Sequence, residues 1–197
     1  MSAQVLFEKI PTEQLTTDPR EVAARMGAGH DFTNDTVEHC SAMLRAVLDC
    51  RYCAVRVKVK YPAEDVSDLG FGELKSHALY RNLAGCKEAF VFAVTTGIGV
   101  DRLLTRLSHF SAAEHFMTDA LSSAYAEAAC DYADAALRGA LKCRPRFSPG
   151  YGDLSLDIQP ALLAVINASR LLGITLGKTL LMSPVKSITA IMGILSE

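Results

Sequence analysis

The chain has 197 residues, of which 50% are hydrophobic and 21% are charged, and this is the composition of an ordinary globular domain. Its formal net charge of −2 provides no attraction to nucleic acid or to an anionic membrane surface, so neither is expected as a partner. The start of the sequence lacks a signal peptide, and no apolar run approaches the ~20 residues that cross a bilayer. We therefore expect a single domain, residues 1–197, in the cytoplasm.

The first elements in chain order are a short strand and a helix. Residues 5–10 predict the strand. The pair Asp18-Pro19 is typical of a helix N-cap followed by the first helical residue, and this helix is expected to end at Gly27 or Gly29.

A longer helix is predicted next, over residues 34–49, because its apolar residues recur at the spacing of one buried face. The clearest strand follows, in which three valines alternate with basic residues: Val55, Arg56, Val57, Lys58, Val59 and Lys60. This alternation favours an antiparallel sheet that is covered on one side. Residues 61–72 contain a proline and two glycines, and we predict a surface loop there.

The middle of the chain predicts a short helix at residues 75–83 and a fully buried strand at residues 89–94. Gly97 and Gly99 then lead into a helix at about residues 100–107. A strand, two glycines and a helix N-terminus could cradle a phosphate or nucleoside, but Arg102 stands where a third glycine is expected. We interpret this segment as a tight strand-to-helix turn.

The longest predicted helix begins with a capping box formed by Ser111 and Glu114, and it extends to about residue 141. Polar side chains recur every four residues along it, at His115, Asp119, Ser123, Glu127 and Asp131. Such a stripe is more often a solvated face than a binding site. Asp119 and Asp131 are interpreted as surface acids.

The six cysteines are scattered through an apolar chain, which does not indicate a disulfide-stapled scaffold. Cys50 and Cys53 have the spacing of half a redox or zinc site. No second such pair and no suitably spaced histidines complete it, so we predict free thiols at a helix-to-strand junction and no metal site.

Residues 146–153 are the candidate ligand-binding loop. Arg146 offers a planar fork for a carboxylate or phosphate, and Tyr151 offers a ring face for a cation or a flat group. The backbone near Ser148 and Gly150 can approach a ligand closely. These features describe a site for a small charged or zwitterionic molecule, although the same residues are also compatible with a simple turn.

The last part of the chain predicts one helix, capped by Asp153 or Ser155 and ending near Gly173. Residues 174–182 and 187–194 then predict two strands that form a hairpin. Helices and strands do not alternate regularly, so the predicted fold class is α+β, with an antiparallel sheet flanked by helices.

From about Phe90 onward the sequence resembles the S-adenosylmethionine-binding activation domain of cobalamin-dependent methionine synthase, and in particular its free-standing relatives. Four segments carry the resemblance: Arg146 to Asp153 with Leu156 and Gln159; Gly173-Ile174-Thr175-Leu176; Met182-Ser183-Pro184-Val185-Lys186-Ser187 with Ile191-Met192-Gly193; and Ala126-Glu127-Ala128. The resemblance implies a ligand site formed by Glu127, Arg146, Ser148, Gly150 and Tyr151.

The resemblance also implies a function. Members of that family use a methyl group from S-adenosylmethionine and an electron from a flavodoxin-like protein to restore inactive cobalamin to methylcobalamin. This sequence has no cobalamin-binding module, so the cobalamin is expected on a partner, either methionine synthase or another corrinoid protein. Arg146 suits the ligand carboxylate, and Glu127 suits its ammonium or its ribose hydroxyls.

Two alternative functions use the same residues differently. One is a free-standing sensor that binds S-adenosylmethionine or a nucleotide without turnover. The other is a small-molecule methyltransferase built on Gly97 and Gly99, which would need an acidic residue after a following parallel strand. The turn is followed by one helix and then by another, and not by such a strand, and this disfavours the methyltransferase.

Overall fold

A computed structural model describes residues 4–26 and 34–195 of the chain. Its helices are α1 (Pro19–Met26), α2 (Asn34–Arg45), α3 (His77–Leu83), α4 (Ile98–Phe110), α5 (Ala112–Arg138), α6 (Gln159–Val165) and α7 (Ala168–Leu172). Its strands are β1 (Leu6–Lys9), β2 (Arg51–Lys58), β3 (Lys60–Ala63), β4 (Val66–Asp68), β5 (Glu73–Lys75), β6 (Cys86–Thr95), β7 (Thr175–Leu176), β8 (Met182–Ser183) and β9 (Ser187–Leu195). The predicted helix stop at Gly27 or Gly29 lies outside the described residues.

The main sheet is antiparallel, with the strand order β1-β2-β6-β9. β6 is central, as its unbroken apolar sequence predicted. Its antiparallel pairing with β2 includes Arg51↔Thr95, and its antiparallel pairing with β9 includes Thr95↔Ser187. The first and last strands of the sheet therefore come from opposite ends of the chain.

Helices cover both faces of this sheet, so the prediction of a sheet covered on one side was wrong. Tyr52 and Ala54 of β2 pack on the face that contacts α2, α4 and α5, whereas Cys53 and Val55 pack on the face that contacts α3, α6 and α7. Only the end of β2 keeps the predicted pattern, with Arg56 and Lys58 exposed. The alternation of valines with basic residues therefore indicates one-sided exposure at the end of β2 and not along the whole strand.

Residues 61–72 are not a plain loop, which corrects a second prediction. β3, β4 and β5 form a small antiparallel sheet, in which Ala63 pairs with Val66 and Val66 pairs with Lys75. These strands have three or four residues each, too few for a periodic apolar pattern. Asp65 provides the positive φ of 58° that the turn between β3 and β4 requires.

We call residues 146–153 the glycine loop. The region after it differs from the sequence prediction in two ways. The single helix is divided into a 3-10 turn (Leu156–Ile158), α6 and α7, and Asn167, at φ 55°, separates the two α-helices. The final hairpin was also wrong, because β7 pairs with β8 and β9 pairs with β6. Burial decides this pairing: Ala190 to Met192 are fully buried and fit only against the central strand.

The Gly97-Gly99 segment is the tight strand-to-helix turn that the sequence predicted. Gly97 is the N-cap of α4 at φ 88°. A Cβ on Gly99 would lie 2.6 Å from the carbonyl oxygen of Val47, so the backbones approach too closely for any other residue. Packing against the end of the α2 region therefore explains these glycines without a nucleotide.

Candidate functional site

A cavity of about 500 Å³ lies between the glycine loop, α5 and the start of β9. This volume is within the range of small-molecule sites. Its lining is Glu127, Arg146, Ser148, Pro149, Tyr151, Leu156, Gln159, Leu180, Leu181, Met182, Val185, Ser187, Ile188 and Thr189. Four of the five predicted site residues, Glu127, Arg146, Ser148 and Tyr151, are therefore brought together at one cavity.

The glycine loop is fixed to the sheet at its start and by the residues just before it. Phe147 exchanges two backbone hydrogen bonds of 2.8 Å with Ile191 of β9, and Cys143 forms a bridge with Ile194. The chain around Arg146 thus runs along β9 as a short additional edge. This pairing sets the position of the guanidinium relative to the sheet.

Gly150 shapes the loop and does not line the cavity. It adopts φ 88°, and its amide nitrogen donates to the carbonyl of Leu154 at 2.8 Å. A Cβ at this position would lie 3.4 Å from Leu156. The backbone N–H of Gly150 is thus used inside the loop, and a direct ligand contact by Gly150 stays a prediction.

Asp153 caps α3 and not the helix that follows the loop. Its carboxylate accepts hydrogen bonds from the Ser76 hydroxyl at 2.5 Å and from the backbone nitrogens of His77 and Ala78 at 2.8 and 3.1 Å. The Ser76 hydrogen bond, together with the Ala78 N–H, lowers the pKa of Asp153 to about 2. Ser155 caps the 3-10 turn by accepting from the nitrogen of Asp157.

Arg146 is held by two carboxylates of α5. Its Nη2 donates to Glu127 Oε2 at 3.0 Å, and its Nη1 donates to Asp131 Oδ1 at 2.5 Å. Arg25 reaches the other carboxylate oxygen of Glu127 only at 4.0 Å. Asp131 is therefore a partner of the site arginine as well as the surface acid that the sequence predicted, and its side chain is 68% exposed.

The charge states of Arg146 and of the neighbouring Cys130 are fixed near neutral pH. Burial lowers the pKa of Arg146, but the neighbouring groups, Cys130 first and then the carboxylates of Asp131 and Glu127, more than offset this and raise the pKa above its ordinary value. Burial raises the pKa of the nearby Cys130 thiol to about 12. Arg146 thus stays charged while the thiol stays neutral.

The polar stripe on α5 is partly buried and forms ion pairs with other elements, so it is not simply a solvated face. At its other end, Lys186 at the entry to β9 lies 2.8 Å from Asp119 and donates to Ser123 at 2.7 Å. The Lys186 side chain is only 12% exposed. Lys186 was not predicted as the partner of Asp119, although the four-residue spacing of the stripe was the available signal.

The rim of the cavity is apolar and exposed. Tyr151, Leu181 and Val185 are 67%, 69% and 65% exposed, although large apolar side chains are usually buried. Inside the cavity, Leu156 and Met182 contribute further apolar surface. The site therefore combines a charged wall, formed by Arg146 and Glu127, with an apolar interior and an apolar entrance.

A second polar pair in the cavity was also missed. Thr189 and Gln159 are 3% and 4% exposed, and the Thr189 hydroxyl donates to Gln159 Oε1 at 2.9 Å. Gln159, the first residue of α6, was among the residues that carry the family resemblance, but no role was predicted for it. Its partner, 30 residues away in sequence, could not be identified from that resemblance.

The cysteines are free thiols, as predicted, and Cys50 and Cys53 are both buried. Burial raises the pKa of each to about 12. Over residues 4–26 and 34–195, no group of three or more side chains is arranged to hold a metal ion. Among the helices of the same residues, none has both the length and the apolar character to span a bilayer.

The sequence matches no family model and no curated protein. Among solved structures, the chain is similar to the one titled "Crystal Structure of the MetH Reactivation Domain bound to AdoHcy". The TM-score is 0.70 at 14% sequence identity, and the match covers 97% of this chain and 78% of the other. At this identity the likeness shows the fold, so the predicted α+β fold class and the structural resemblance to the methionine synthase domain are confirmed.

Proposed function

We propose that this chain binds S-adenosylmethionine in the cavity and supports the reductive methylation of cobalamin carried by a separate methionine synthase or related corrinoid protein. One observation carries the proposal: the Arg146–Glu127 pair forms a wall of a cavity of about 500 Å³. The fold that holds this cavity is shared with a domain crystallised with AdoHcy.

The charged wall has capacity left for the amino-acid end of this ligand. A guanidinium has five N–H donors, and Glu127 and Asp131 use one each. Among the described residues, no further acceptor contacts the guanidinium, so its remaining donors can serve a ligand carboxylate. Within the same residues, the one cation near Glu127 Oε1 is Arg25 at 4.0 Å, so this oxygen can accept from a ligand ammonium. One carboxylate and one cation side by side match a zwitterion.

The rest of the cavity suits the adenosine and the sulfonium. Leu156 and Met182 offer apolar surface to a flat ring. Tyr151, at the rim, offers the electron-rich face of its ring to a cation. Ser148 also lines the cavity and offers a hydroxyl to the ribose or to the amino-acid end.

When bound, S-adenosylmethionine supplies a methyl cation to the electron pair of the reduced cobalt and leaves as S-adenosylhomocysteine, and a flavodoxin-like reductant supplies the electron that reduces the cobalt. The protein contributes binding and alignment, which need no acid, base or covalent residue of its own. Arg146 and Glu127 would hold one end of the donor at the charged wall.

The exposed rim supports a methyl acceptor that arrives on another protein. Tyr151, Leu181 and Val185 surround the entrance with apolar surface that is open to solvent. A partner that carries cobalamin could approach there. The cytoplasmic location predicted from the sequence agrees with such a partnership and belongs to the same proposal.

The test is methyl transfer in a reconstituted mixture. The purified chain is combined with a cobalamin-loaded methionine synthase module, a reductant and S-adenosylmethionine labelled in its methyl group. We expect label on the cobalamin with the wild-type chain and with Arg170→Ala, which changes an exposed arginine of α7. We expect its loss with Arg146→Ala. Tight binding without any transfer would instead favour the S-adenosylmethionine sensor.

A further inference from the structure

The Gln159–Thr189 pair stands apart from the charged wall as a neutral polar group within the cavity. Both side chains are at least nine-tenths buried, with exposed fractions of 4% and 3%, and both line the cavity. Buried polar atoms normally have hydrogen-bond partners, so a buried pair that faces an open volume needs an explanation.

The hydrogen bond within the pair leaves specific atoms available. Thr189 Oγ1 donates to Gln159 Oε1 at 2.9 Å. Among the residues that the structure describes, none accepts a hydrogen bond from Gln159 Nε2. This nitrogen is also not one of the buried polar atoms that are sealed away without a partner. It therefore borders the cavity with its hydrogens available, beside a threonine oxygen that can still accept.

Rigid elements hold the pair in place. Gln159 is the first residue of α6, and Thr189 lies in β9, where it pairs with Ala93 of the central strand. Neither side chain can turn to solvent, because both are buried. A donor and an acceptor are thus presented side by side in a fixed orientation, which is what recognition of a polar edge requires.

The side chains around Gln159 and Thr189 indicate which class of chemical group the pair binds. Leu156, Met182 and Ile188 surround the pair with apolar side chains that suit the faces of a flat ring. Arg146 and Glu127 supply the charged wall of the same cavity. The whole lining therefore fits a molecule with a charged amino-acid end and a flat heterocycle whose edge carries one acceptor beside one donor.

We propose that Gln159 and Thr189 recognise the adenine base, with Gln159 Nε2 donating to a ring nitrogen and Thr189 Oγ1 accepting from the exocyclic amine. This rests on the proposed function for the identity of the ligand, but it assigns the base specificity to two residues that the proposed function does not use. A 6-oxopurine presents the reverse pattern, a ring N–H beside a carbonyl oxygen. It would place two donors face to face at Gln159 and should be rejected.

The experiment compares two ligands that differ only at this edge, S-adenosylhomocysteine and S-inosylhomocysteine, by calorimetric titration. We expect the wild-type chain to prefer the adenine ligand by about tenfold or more, because the wrong base leaves buried donors unpaired. Gln159→Met should reduce this preference to about twofold or less by removing the donor. Gln159→Glu keeps the acceptor for Thr189 and offers a carboxylate to the ring N–H, so the preference should shift toward the inosine ligand.

The controls separate base reading from folding. Gln14→Met changes an exposed glutamine that does not line the cavity and should keep the wild-type preference. Thr189→Ser retains the hydroxyl and should also keep it, whereas Thr189→Val should weaken it. The wild-type ratio needs no variant, so a variant that fails to fold does not leave the proposal undecided.

The outcomes also separate this inference from the proposed function. If the wild-type chain binds both ligands equally, or if Gln159→Met leaves the preference unchanged, the assignment of Gln159 is overturned while cosubstrate binding stands. If the base preference is found but no methyl reaches cobalamin, the assignment stands and the methylation function fails. If neither ligand binds to the wild-type chain, both are overturned.

Discussion

Arg146 Nη2 lies 3.0 Å from Glu127 Oε2, and this hydrogen bond joins the glycine loop to α5 at the wall of the cavity. The two residues are 19 positions apart in sequence and come from a loop and a helix that share no local pattern. Their contact makes the loop and the helix one site. It also means that a ligand meets an arginine that already has partners.

Replacing Arg146 should weaken the binding of S-adenosylmethionine. Arg146→Ala removes the donors that are proposed for the ligand carboxylate, and hydrogen bonds to charged groups contribute about 1.5–3 kcal/mol each, or roughly ten- to hundredfold in affinity. Calorimetric titration measures the effect, with Arg170→Ala as the matched exposed arginine. An unchanged affinity in Arg146→Ala would remove the arginine from the site.

Replacing Asp131 should have the opposite sign. Its carboxylate is 68% exposed and neutralises part of the charge of Arg146, so it competes electrostatically with a ligand carboxylate that binds the remaining N–H donors. Exposed ion pairs contribute about 0.2–1 kcal/mol, and Asp131→Asn should therefore strengthen binding by about two- to fivefold. Glu127→Gln, titrated in parallel, should weaken binding because it removes the negative charge proposed to pair with the ligand ammonium. A weaker affinity in Asp131→Asn would identify Asp131 as a ligand contact and not a competitor.

Asp153 should make stability depend on pH in the acidic range. Its pKa is lowered from 3.8 to about 2 in the folded protein by the Ser76 and Ala78 hydrogen bonds, so its contribution is fully present above the unfolded value and is lost as the pH falls through about 2. The measurement is the urea unfolding free energy of the wild-type chain and of Asp153→Asn between pH 7 and pH 2. The difference between them should be largest at pH 7 and should shrink below about pH 4. A difference that stays constant across this range would contradict the capping role.

Gly99 should tolerate no side chain. The Cβ of Gly99→Ala would lie 2.6 Å from the backbone oxygen of Val47, and overpacking of this kind costs about 1–3 kcal/mol. Gly177→Ala is the matched control, because the nearest atom to its Cβ lies 3.7 Å away. Denaturant unfolding of both variants measures the difference. Equal stability of the two would show that the turn adjusts at little cost.

Local signals in the sequence predicted where the longest helices begin. The Ser111 hydroxyl accepts from the nitrogen of Glu114, as the capping box requires, and α5 ends at Arg138 beside Gly139. The apolar run of β6 was sufficient to place it at the centre of the sheet. These features depend on residues within a few positions of each other, which is why they can be read from one sequence.

Pairing between distant segments could not be predicted in the same way. β9 follows β8 closely in sequence, yet it pairs with β6, because the burial of its side chains and not its proximity determines its partner. The predicted site residues that cluster in one loop, such as Arg146 and Tyr151, do line one cavity, and their role in ligand binding stays a prediction. Lys186 and Thr189 were missed because each acquires its role through a partner brought near only by the fold.

The backbone bonds between Phe147 and Ile191 have a consequence for solubility. β9 is an edge strand of the main sheet, and the unpaired backbone of an uncovered edge strand can pair with a strand of another chain. The segment that carries Arg146 forms the backbone hydrogen bonds of Ile191 at this edge, so we expect the proposed ligand binding and protection from aggregation to depend on the same pairing. Substitutions that detach this segment from β9 should impair both properties together.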